Sequence, residues 1–339
     1  MLSLEIPTPE SDVRGAALAI KSGKLETLAR DANRRHGMGG FFAARDASDV
    51  YSAAEHITGP VAGPLLEHAG LLTSGGGGQE RLSAEIKRST AVLDLACGTG
   101  VATATLHDAM ERSGQRARDL VSITCADISE PQVNWVRRRI KQMGWRNIEA
   151  AVTDASNCSL SSDTFDHVII AMALMLIPDP HSTIKECMRM LKPGGRLSIS
   201  TWKVEGWVPD TRDAIAAADL PGNPGWPQDS DELVAAWALG PWHREGFARR
   251  TLEAAGFEDV RVEAVTRHVV IENAVHFCHV WRAFVAVVTQ AYWTDRQRDE
   301  CLPLVEPAFR RFLDAKYGEG MPFTVERTAI MASGRKPLN

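Results

Sequence analysis

Short apolar runs alternate with helix-like spacing along the middle third of the chain. The apolar runs predict five strands, at 91–96, 121–126, 148–152, 166–173 and 196–201. The helix-like spacing predicts three helices between them, at 101–112, 131–143 and 181–191. Because strands and helices alternate with short links, we predict a Rossmann-like, doubly wound α/β sheet with right-handed crossovers.

The pattern after the fifth strand adds two strands and two interruptions. A helix at 247–255 and a strand at 260–265 continue the alternation. The last predicted strand, at 323–332, is more polar on one face than on the other, so we expect it to be antiparallel. With it, the predicted sheet has seven strands. We predict two insertions. The first covers residues 203–245 and contains Pro, Gly and Trp, and the second covers residues 272–318 and contains two helical patterns.

Helical patterns also precede the sheet. Apolar residues recur at helical spacing over 51–72, with turns expected at Gly59-Pro60 and Gly63-Pro64. We predict an N-terminal helical cap over 1–88 and one domain with both insertions over 89–339. The predicted cap includes a short helix at 81–87, which comes after a glycine-rich connector.

Composition and charge narrow the functional class. The 339 residues are 44% hydrophobic and 24% charged, as in ordinary globular proteins, and the net charge is −5. The basic run Arg137–Arg139 is predicted to be a solvated helix face, so we expect no nucleic-acid partner. The longest apolar run, at 168–177, is too short for a bilayer, and the first residues lack a signal-peptide pattern. We therefore expect a cytoplasmic protein without a membrane partner.

A glycine-rich turn comes directly after the first strand of the alternation. The segment VLDLACGTG, residues 92–100, ends at a predicted helix N-terminus, where the backbone can approach a ligand closely. Asp94 precedes this turn, and a carboxylate there suits an ammonium group better than a pyrophosphate. Thr103 replaces the third glycine of the dinucleotide fingerprint. Both features disfavour a nicotinamide oxidoreductase.

Two further carboxylates lie at the ends of the next two strands. Asp127 is placed to accept hydrogen bonds from a ribose diol, and Asp154 can accept one from an exocyclic adenine amine. Together with Asp94 they fit a cationic amino-acid nucleoside better than a dinucleotide.

These segments in combination resemble class I S-adenosylmethionine-dependent methyltransferases over about residues 50–265. The resemblance is carried by VLDLACGTG, by ADIS with Asp127, by VTDA with Asp154 and by LKPGG before the fifth strand. The segments at 51–60 and 201–209 further resemble fungal secondary-metabolism methyltransferases of the gliotoxin thiol methyltransferase group.

The resemblance implies S-adenosylmethionine as the cofactor and gives roles to ten residues. The residues form the turn (Ala96, Gly98, Gly100), approach the methionine end (Tyr51, Asp94, Met172) or hold the nucleoside (Asp127, Ile128, Asp154, Ala155). Ala96 stands where the family most often has Gly, and we expect crowding there without loss of binding. Core packing stays open as an alternative role for Tyr51 and Met172.

The segment after the fourth strand narrows the class of acceptor. Residues 171–175 lack the motifs of amino-methylating nucleic-acid enzymes, of arginine methyltransferases and of metal-dependent catechol enzymes. We therefore predict metal-free in-line methyl transfer to an O, N or S atom of a small molecule. A regulatory protein that binds the cofactor without turnover stays open as the alternative.

Two residue types suggest how the acceptor is handled. A hydroxyl acceptor needs a general base, for which His56 and His243 are the candidates. Trp202, Trp207 and Trp242 are expected to form aromatic walls of an acceptor pocket. We expect the N-terminal helices and both insertions to form its roof.

Overall fold

A computed structural model describes residues 55–74 and 80–338 of the chain. The strands are β1 (Leu72–Ser74), β2 (Glu80–Leu82), β3 (Thr90–Leu95), β4 (Val121–Asp127), β5 (Ile148–Val152), β6 (Phe165–Ala171), β7 (Leu191–Glu205), β8 (Glu258–Ile271) and β9 (Phe323–Arg335). The helices are α1 (Glu55–His68), α2 (Val101–Ser113), α3 (Gln115–Leu120), α4 (Glu130–Met143), α5 (Pro180–Met190), α6 (Val208–Ala217), α7 (Ser230–Trp237), α8 (Glu245–Ala254), α9 (Ala274–Tyr292) and α10 (Asp295–Tyr317).

The main sheet has seven strands in the order β5-β4-β3-β6-β7-β9-β8. The first five of these pair in parallel, and β9 lies between β7 and β8 and runs antiparallel to both. The strand order reverses between β3 and β6, which is where open α/β sheets bind ligands beyond the carboxyl ends of their strands. The predicted seven-stranded Rossmann-like sheet with an antiparallel last strand is confirmed.

Three strands, β7, β8 and β9, extend further than the sequence pattern predicts. The β8 strand continues from Glu258 to Ile271, because its pairing with β9 persists as far as Phe323. Among the described residues, a second hydrophobic cluster covers these extended ends and collects side chains from α6, α7, α9 and α10. Both predicted insertions therefore pack mainly with each other and with the sheet extension.

Helix α1 differs from the prediction because it runs without a break through Pro60 and Pro64. Glycine precedes each proline, so neither ring meets a Cβ on the residue before it. The helix also buries Leu65 and Leu66 almost completely, which offsets the two missing backbone hydrogen bonds. The expected turns at Gly59-Pro60 and Gly63-Pro64 are thus wrong.

The predicted short helix at 81–87 is also wrong. Residues Glu80–Leu82 instead form β2, which pairs with β1 in an antiparallel ribbon. The backbone N–H of Leu82 donates to Ser113 Oγ at the end of α2. Tertiary pairing therefore overrides the local helical pattern.

Candidate active site

The glycine-rich turn connects β3 to α2 through three residues with left-handed backbone. Ala96 and Gly98 both have φ of 55°, and Gly100 has φ of 81° at the N-cap of α2. This conformation suits glycine but strains alanine, because a Cβ crowds the following carbonyl group. The turn is held against β4 by a 3.0 Å hydrogen bond from the Cys97 N–H to the Ala126 carbonyl oxygen.

Asp127 lies at the carboxyl end of β4 and binds the turn. Its Oδ2 accepts from the Gly98 N–H, and its Oδ1 accepts from the Ser129 N–H, each at 2.9 Å. Burial raises the pKa of the Asp127 carboxyl group, and the backbone N–H donors oppose that shift. The carboxylate is therefore held in a fixed orientation at the end of the strand.

Asp94 lies behind the turn and is buried. Its Oδ2 accepts from the Thr103 hydroxyl at 2.7 Å and from the Thr103 N–H at 3.2 Å, while Oδ1 is buried without a hydrogen-bond partner among the described residues. Burial raises the pKa of this carboxyl group to about 6. An unpartnered buried carboxylate oxygen marks a place where a donor from a ligand or water would be stabilising.

A cavity of about 340 Å³ opens beside the turn, between α1 and the carboxyl ends of the parallel strands. Seven of the predicted site residues line it: Ala96, Gly98, Asp127, Ile128, Asp154, Ala155 and Met172. The volume lies in the range of small-molecule sites. The fold thus brings together residues that are separated by up to 76 positions in the sequence.

Ile128 and Asp154 present different chemistry to this cavity. Ile128 is 67% exposed although it is a large apolar side chain, so it offers a surface for a flat apolar group. Asp154 is exposed, and its Oδ1 accepts from the N–H and the hydroxyl of Ser156 at 2.8 and 2.7 Å. These bonds orient the Asp154 carboxylate at the end of β5.

Met172 comes directly after β6 and has a left-handed backbone, with φ of 55°. Its N–H donates to both the carbonyl oxygen and the hydroxyl of Ser200 on β7, each at 3.1 Å. A non-glycine residue in this conformation is strained, and such strain is common at binding sites. The side chain is buried and lines the cavity.

The remaining predicted residues have other positions. Asp94 and Gly100 lie outside the lining, and Tyr51 lies outside the described residues. His56 belongs to α1, but the structure does not describe its side chain. His243 is buried with its Nε2 2.8 Å from Asp231 Oδ1, and burial lowers the pKa of the imidazole. His243 is not among the described lining residues.

Trp202, Trp207 and Trp242 are buried and likewise lie outside the described lining. The Arg327 guanidinium lies 4.2 Å from the centre of the Trp202 ring, and the Trp207 Nε1–H donates to Glu205 Oε2 at 2.8 Å. Trp242 packs edge-on against a phenylalanine of α8. The structure therefore gives these rings packing partners, and their role as acceptor walls stays a prediction.

The sequence pattern does not identify several residues that line the cavity. They come from α1 (Thr58, Val61, Ala62), from the start of α4 (Ser129, Gln132) and from the segment after β6 (Leu176, Ile177, Pro178). The sequence signal at the α1 residues is only their helical spacing, which is also typical of core packing. No described residue of 203–245 or 272–318 belongs to the lining.

The predicted solvated face Arg137–Arg139 is only partly correct. Arg139 is half-buried, and its Nη1 donates to Glu55 Oε1 at 2.8 Å and to the Thr99 carbonyl oxygen at 3.0 Å. The side chain thereby connects α1 to the glycine-rich turn.

Comparisons with known proteins match the chain to methyltransferases. A family model described as a methyltransferase domain matches residues 86–233. Methyltransferase tpcH of Aspergillus fumigatus is 31% identical over 296 residues, which cover 87% of this chain and 98% of the relative. Acetylaranotin bis-thiomethyltransferase of Aspergillus terreus is 29% identical, over 87% of this chain and 96% of that protein.

Among the described residues, no helix is long and apolar enough to cross a bilayer. The match covers 98% and 96% of the two relatives, so the likeness extends beyond residues 86–233, which the family model matches. On this identity and coverage, the chain belongs to the S-adenosylmethionine-dependent methyltransferase family that these fungal proteins represent.

Proposed function

We propose that this protein transfers a methyl group from S-adenosylmethionine to an O, N or S atom of a small-molecule acceptor bound in the cavity beside α1. One observation carries the proposal. A strained glycine-rich turn, an oriented carboxylate at the end of β4 and an exposed apolar side chain all meet at this cavity, at the point where the strand order reverses.

Two features of the described residues fit the proposed cofactor. Asp94 Oδ1 is a buried acceptor without a partner, which an ammonium group can satisfy directly or through water. Ile128 is exposed at the cavity wall, which suits the face of a purine ring.

The remaining contacts are arranged around these two anchors. Asp127 would accept hydrogen bonds from the ribose hydroxyl groups, while Asp154 and Ala155 would meet the adenine edge. Met172 would lie near the sulfur, and Ala96 and Gly98 would let the backbone approach the ligand. When bound, the cofactor supplies a methyl group on a positively charged sulfur, activated for in-line displacement.

The chain itself contributes binding, orientation and exclusion of water. Val61 and Ala62 of α1 and Leu176, Ile177 and Pro178 after β6 give the cavity apolar walls. Such walls remove water from an amine, thiolate or phenolate and so leave its lone pair available for attack. A neutral hydroxyl acceptor would further need a general base. Of the two candidates, His56 belongs to α1, a helix that lines the cavity, whereas His243 is not among the described lining residues.

The acceptor class is proposed from the relatives. The A. terreus protein is named as an acetylaranotin bis-thiomethyltransferase. We therefore place small thiols, then phenols and amines of secondary metabolism, at the head of the acceptor panel.

Calorimetry with S-adenosylhomocysteine and with NAD tests cofactor binding. We expect binding of the first ligand and none of the second. Asp127→Asn should weaken binding by about tenfold or more, as expected for a hydrogen bond to a charged group. Asp119→Asn, on the exposed face of α3, is the matched control and should bind normally.

Turnover is tested with methyl-labelled S-adenosylmethionine and the acceptor panel, with label transfer read by mass spectrometry. Failure of the wild-type protein to bind S-adenosylhomocysteine would overturn the proposed function. Binding without label transfer to any thiol, phenol or amine would refute its transfer step.

A further inference from the structure

Two arginine side chains flank Ser333 of β9 on one face of the main sheet. Arg261 of β8 is in register with Ser333, and the Arg196 Nη1 of β7 donates to Ser333 Oγ at 3.2 Å. Arg196 is also in register with His167, near the start of β6. The two arginines therefore lie toward the end of the sheet opposite to the glycine-rich turn and its cavity.

The positive charge at this place is not compensated. Arg335 of β9 already pairs with Asp259, but Arg196 and Arg261 form no ion pair with a carboxylate among the described residues. Arg196 is half-buried, and burial together with the charges of Arg261 and Arg335 lowers the pKa of its guanidinium group, against the effect of Asp259. An anion between Arg196 and Arg261 would remove this repulsion.

A second cavity, of about 410 Å³, adjoins Arg261 between the end of α1 and strand β8. Its charged or titratable lining residues are Glu67, His68, Arg261, Glu263 and Arg267. Both glutamates already have partners, because the Ser74 hydroxyl donates to Glu67 and Glu263 Oε1 lies 2.8 Å from His68 Nδ1. The arginine side of the lining is thus the side that lacks a counter-charge.

His68 provides an independent sign of a ligand in the second cavity. Its side chain is only 6% exposed, and its Nε2 is buried without a hydrogen-bond partner among the described residues. A carboxylate only accepts hydrogen bonds, so the Nδ1 beside Glu263 carries the hydrogen, and Nε2 of the neutral ring is an acceptor. A hydroxyl group on a ligand would satisfy this acceptor.

We infer that Arg196, Arg261 and His68 form a binding site for inorganic phosphate at the second cavity. The hydrogen phosphate ion has oxygens that accept from two guanidinium groups, and its one hydroxyl group can donate to His68 Nε2. Sulfate has the same shape but no hydroxyl group at neutral pH, so it would leave Nε2 unsatisfied. This inference does not rest on the proposed function, because the site is separate from the methyl-transfer cavity.

The test compares these two anions at neutral pH and constant ionic strength, with binding measured by calorimetry. We expect wild type to bind phosphate at least about fivefold more tightly than sulfate, for one hydrogen bond to the imidazole. Arg261→Gln should weaken binding of both anions by about tenfold or more, for the loss of a charged donor. His68→Asn keeps an N–H donor near the position of Nδ1 and removes Nε2, so it should bind the two anions within about twofold of each other.

Arg116→Gln is the matched control, because it removes the same charge from the exposed face of α3 and should bind phosphate normally. In phosphate-free buffer, Arg261→Gln should have an unchanged or higher melting temperature, since it removes repulsion on Arg196. This separates loss of the site from loss of the fold. Phosphate should also slow hydrogen exchange over 55–68 in wild type, because His68 belongs to α1.

Three outcomes would overturn the site. Wild type that binds neither anion has no such site, and equal affinity for phosphate and sulfate would exclude the hydrogen bond to His68. An affinity loss in Arg116→Gln as large as that in Arg261→Gln would show general attraction of anions to the protein surface. A phosphate preference that Arg261→Gln and His68→Asn each remove would support the assignment.

Discussion

The Arg139 guanidinium and the Glu55 carboxylate form an ion pair with 2.8 Å between Nη1 and Oε1, and the same nitrogen donates to the Thr99 carbonyl oxygen at 3.0 Å. One side chain therefore joins the first turn of α1, helix α4 and the glycine-rich turn. Because α1 supplies part of the cavity wall, this ion pair holds one wall in position against the turn.

Arg139→Met should loosen α1. Both charged side chains are only about one quarter exposed, so the pair is less screened than a fully exposed one. We expect faster hydrogen exchange over 55–68, measured by mass spectrometry, and weaker S-adenosylhomocysteine binding. Arg118→Met removes a comparable pair with Glu111 away from the cavity and should change neither. Unchanged exchange over 55–68 in Arg139→Met would show that the pair does not hold α1.

Ala96→Gly should stabilise the protein. Ala96 has φ of 55°, which glycine adopts freely and which costs an L-residue about 1 kcal/mol. Part of this gain is offset by the larger backbone freedom of glycine in the unfolded chain. Urea unfolding should show a higher free energy of unfolding for Ala96→Gly, and a lower one for Ala150→Gly in strand β5. Destabilisation by Ala96→Gly would mean that the strain in the left-handed backbone is smaller than the entropic cost of glycine.

Asp94 should make stability depend on pH in the direction opposite to that of a salt-bridged acid. Its pKa is raised by burial to about 6 in the folded protein, from 3.8 in the unfolded chain. The folded state therefore holds the proton more tightly, and the stability from this group is lost as the pH rises from about 4 to 6. Asp94→Asn should abolish this loss and be more stable than wild type at pH 7 by on the order of 2 kcal/mol.

The measurement is urea unfolding of both proteins between pH 4 and pH 8, without ligand. A stability difference that does not change with pH would contradict the assignment of the titration to Asp94. Ligand binding gives an independent check. Asp94→Asn should weaken binding of S-adenosylhomocysteine but not of 5′-methylthioadenosine, which lacks the ammonium group. Equal losses for the two ligands would place the Asp94 interaction elsewhere.

Ile128→Ala should reduce cofactor affinity without destabilising the fold. Ile128 is 67% exposed and lines the cavity, so its apolar surface is covered mainly when a ligand binds. We expect binding of S-adenosylhomocysteine to fall by roughly five- to tenfold, for the loss of about 1 kcal/mol of apolar contact. Met143 is equally exposed, at the far end of α4, and Met143→Ala should bind normally. Calorimetry checks both variants, and equal affinities would remove Ile128 from the adenine site.

The alternation of apolar strands and amphipathic helices predicts nearly all of the central sheet correctly. Apolar runs that are buried on both faces have few other folded arrangements, so their pattern alone indicates parallel strands. The positions of Asp127 and Asp154 at strand ends were predictable for the same reason, because parallel strands bring their carboxyl ends to one edge of the sheet. The family resemblance rested on the same segments.

Local contacts depart from the sequence pattern where a tertiary partner competes for the same hydrogen-bonding group. The sequence Ser129-Glu130-Pro131-Gln132 specifies a capping box as clearly as Thr294 to Gln297 does. Asp127 takes the backbone N–H that the box at α4 needs, and no local pattern shows this competition. Arg139 differs from the exposed Arg137 for a similar reason, since Glu55 reaches it from 84 residues away.

The sequence by itself determined the order of strands and helices, the turn and the acidic strand ends, because hydrophobic periodicity and backbone geometry act over a few residues. Only the tertiary structure decided that α1 passes unbroken through Pro60 and Pro64, that Glu80–Leu82 pairs as a strand, and that three tryptophans are buried away from the cavity. In each of these cases, burial against residues that are distant in the sequence outweighs local conformational preferences, which are worth about 1 kcal/mol to a few kcal/mol. That burial is set by the whole fold.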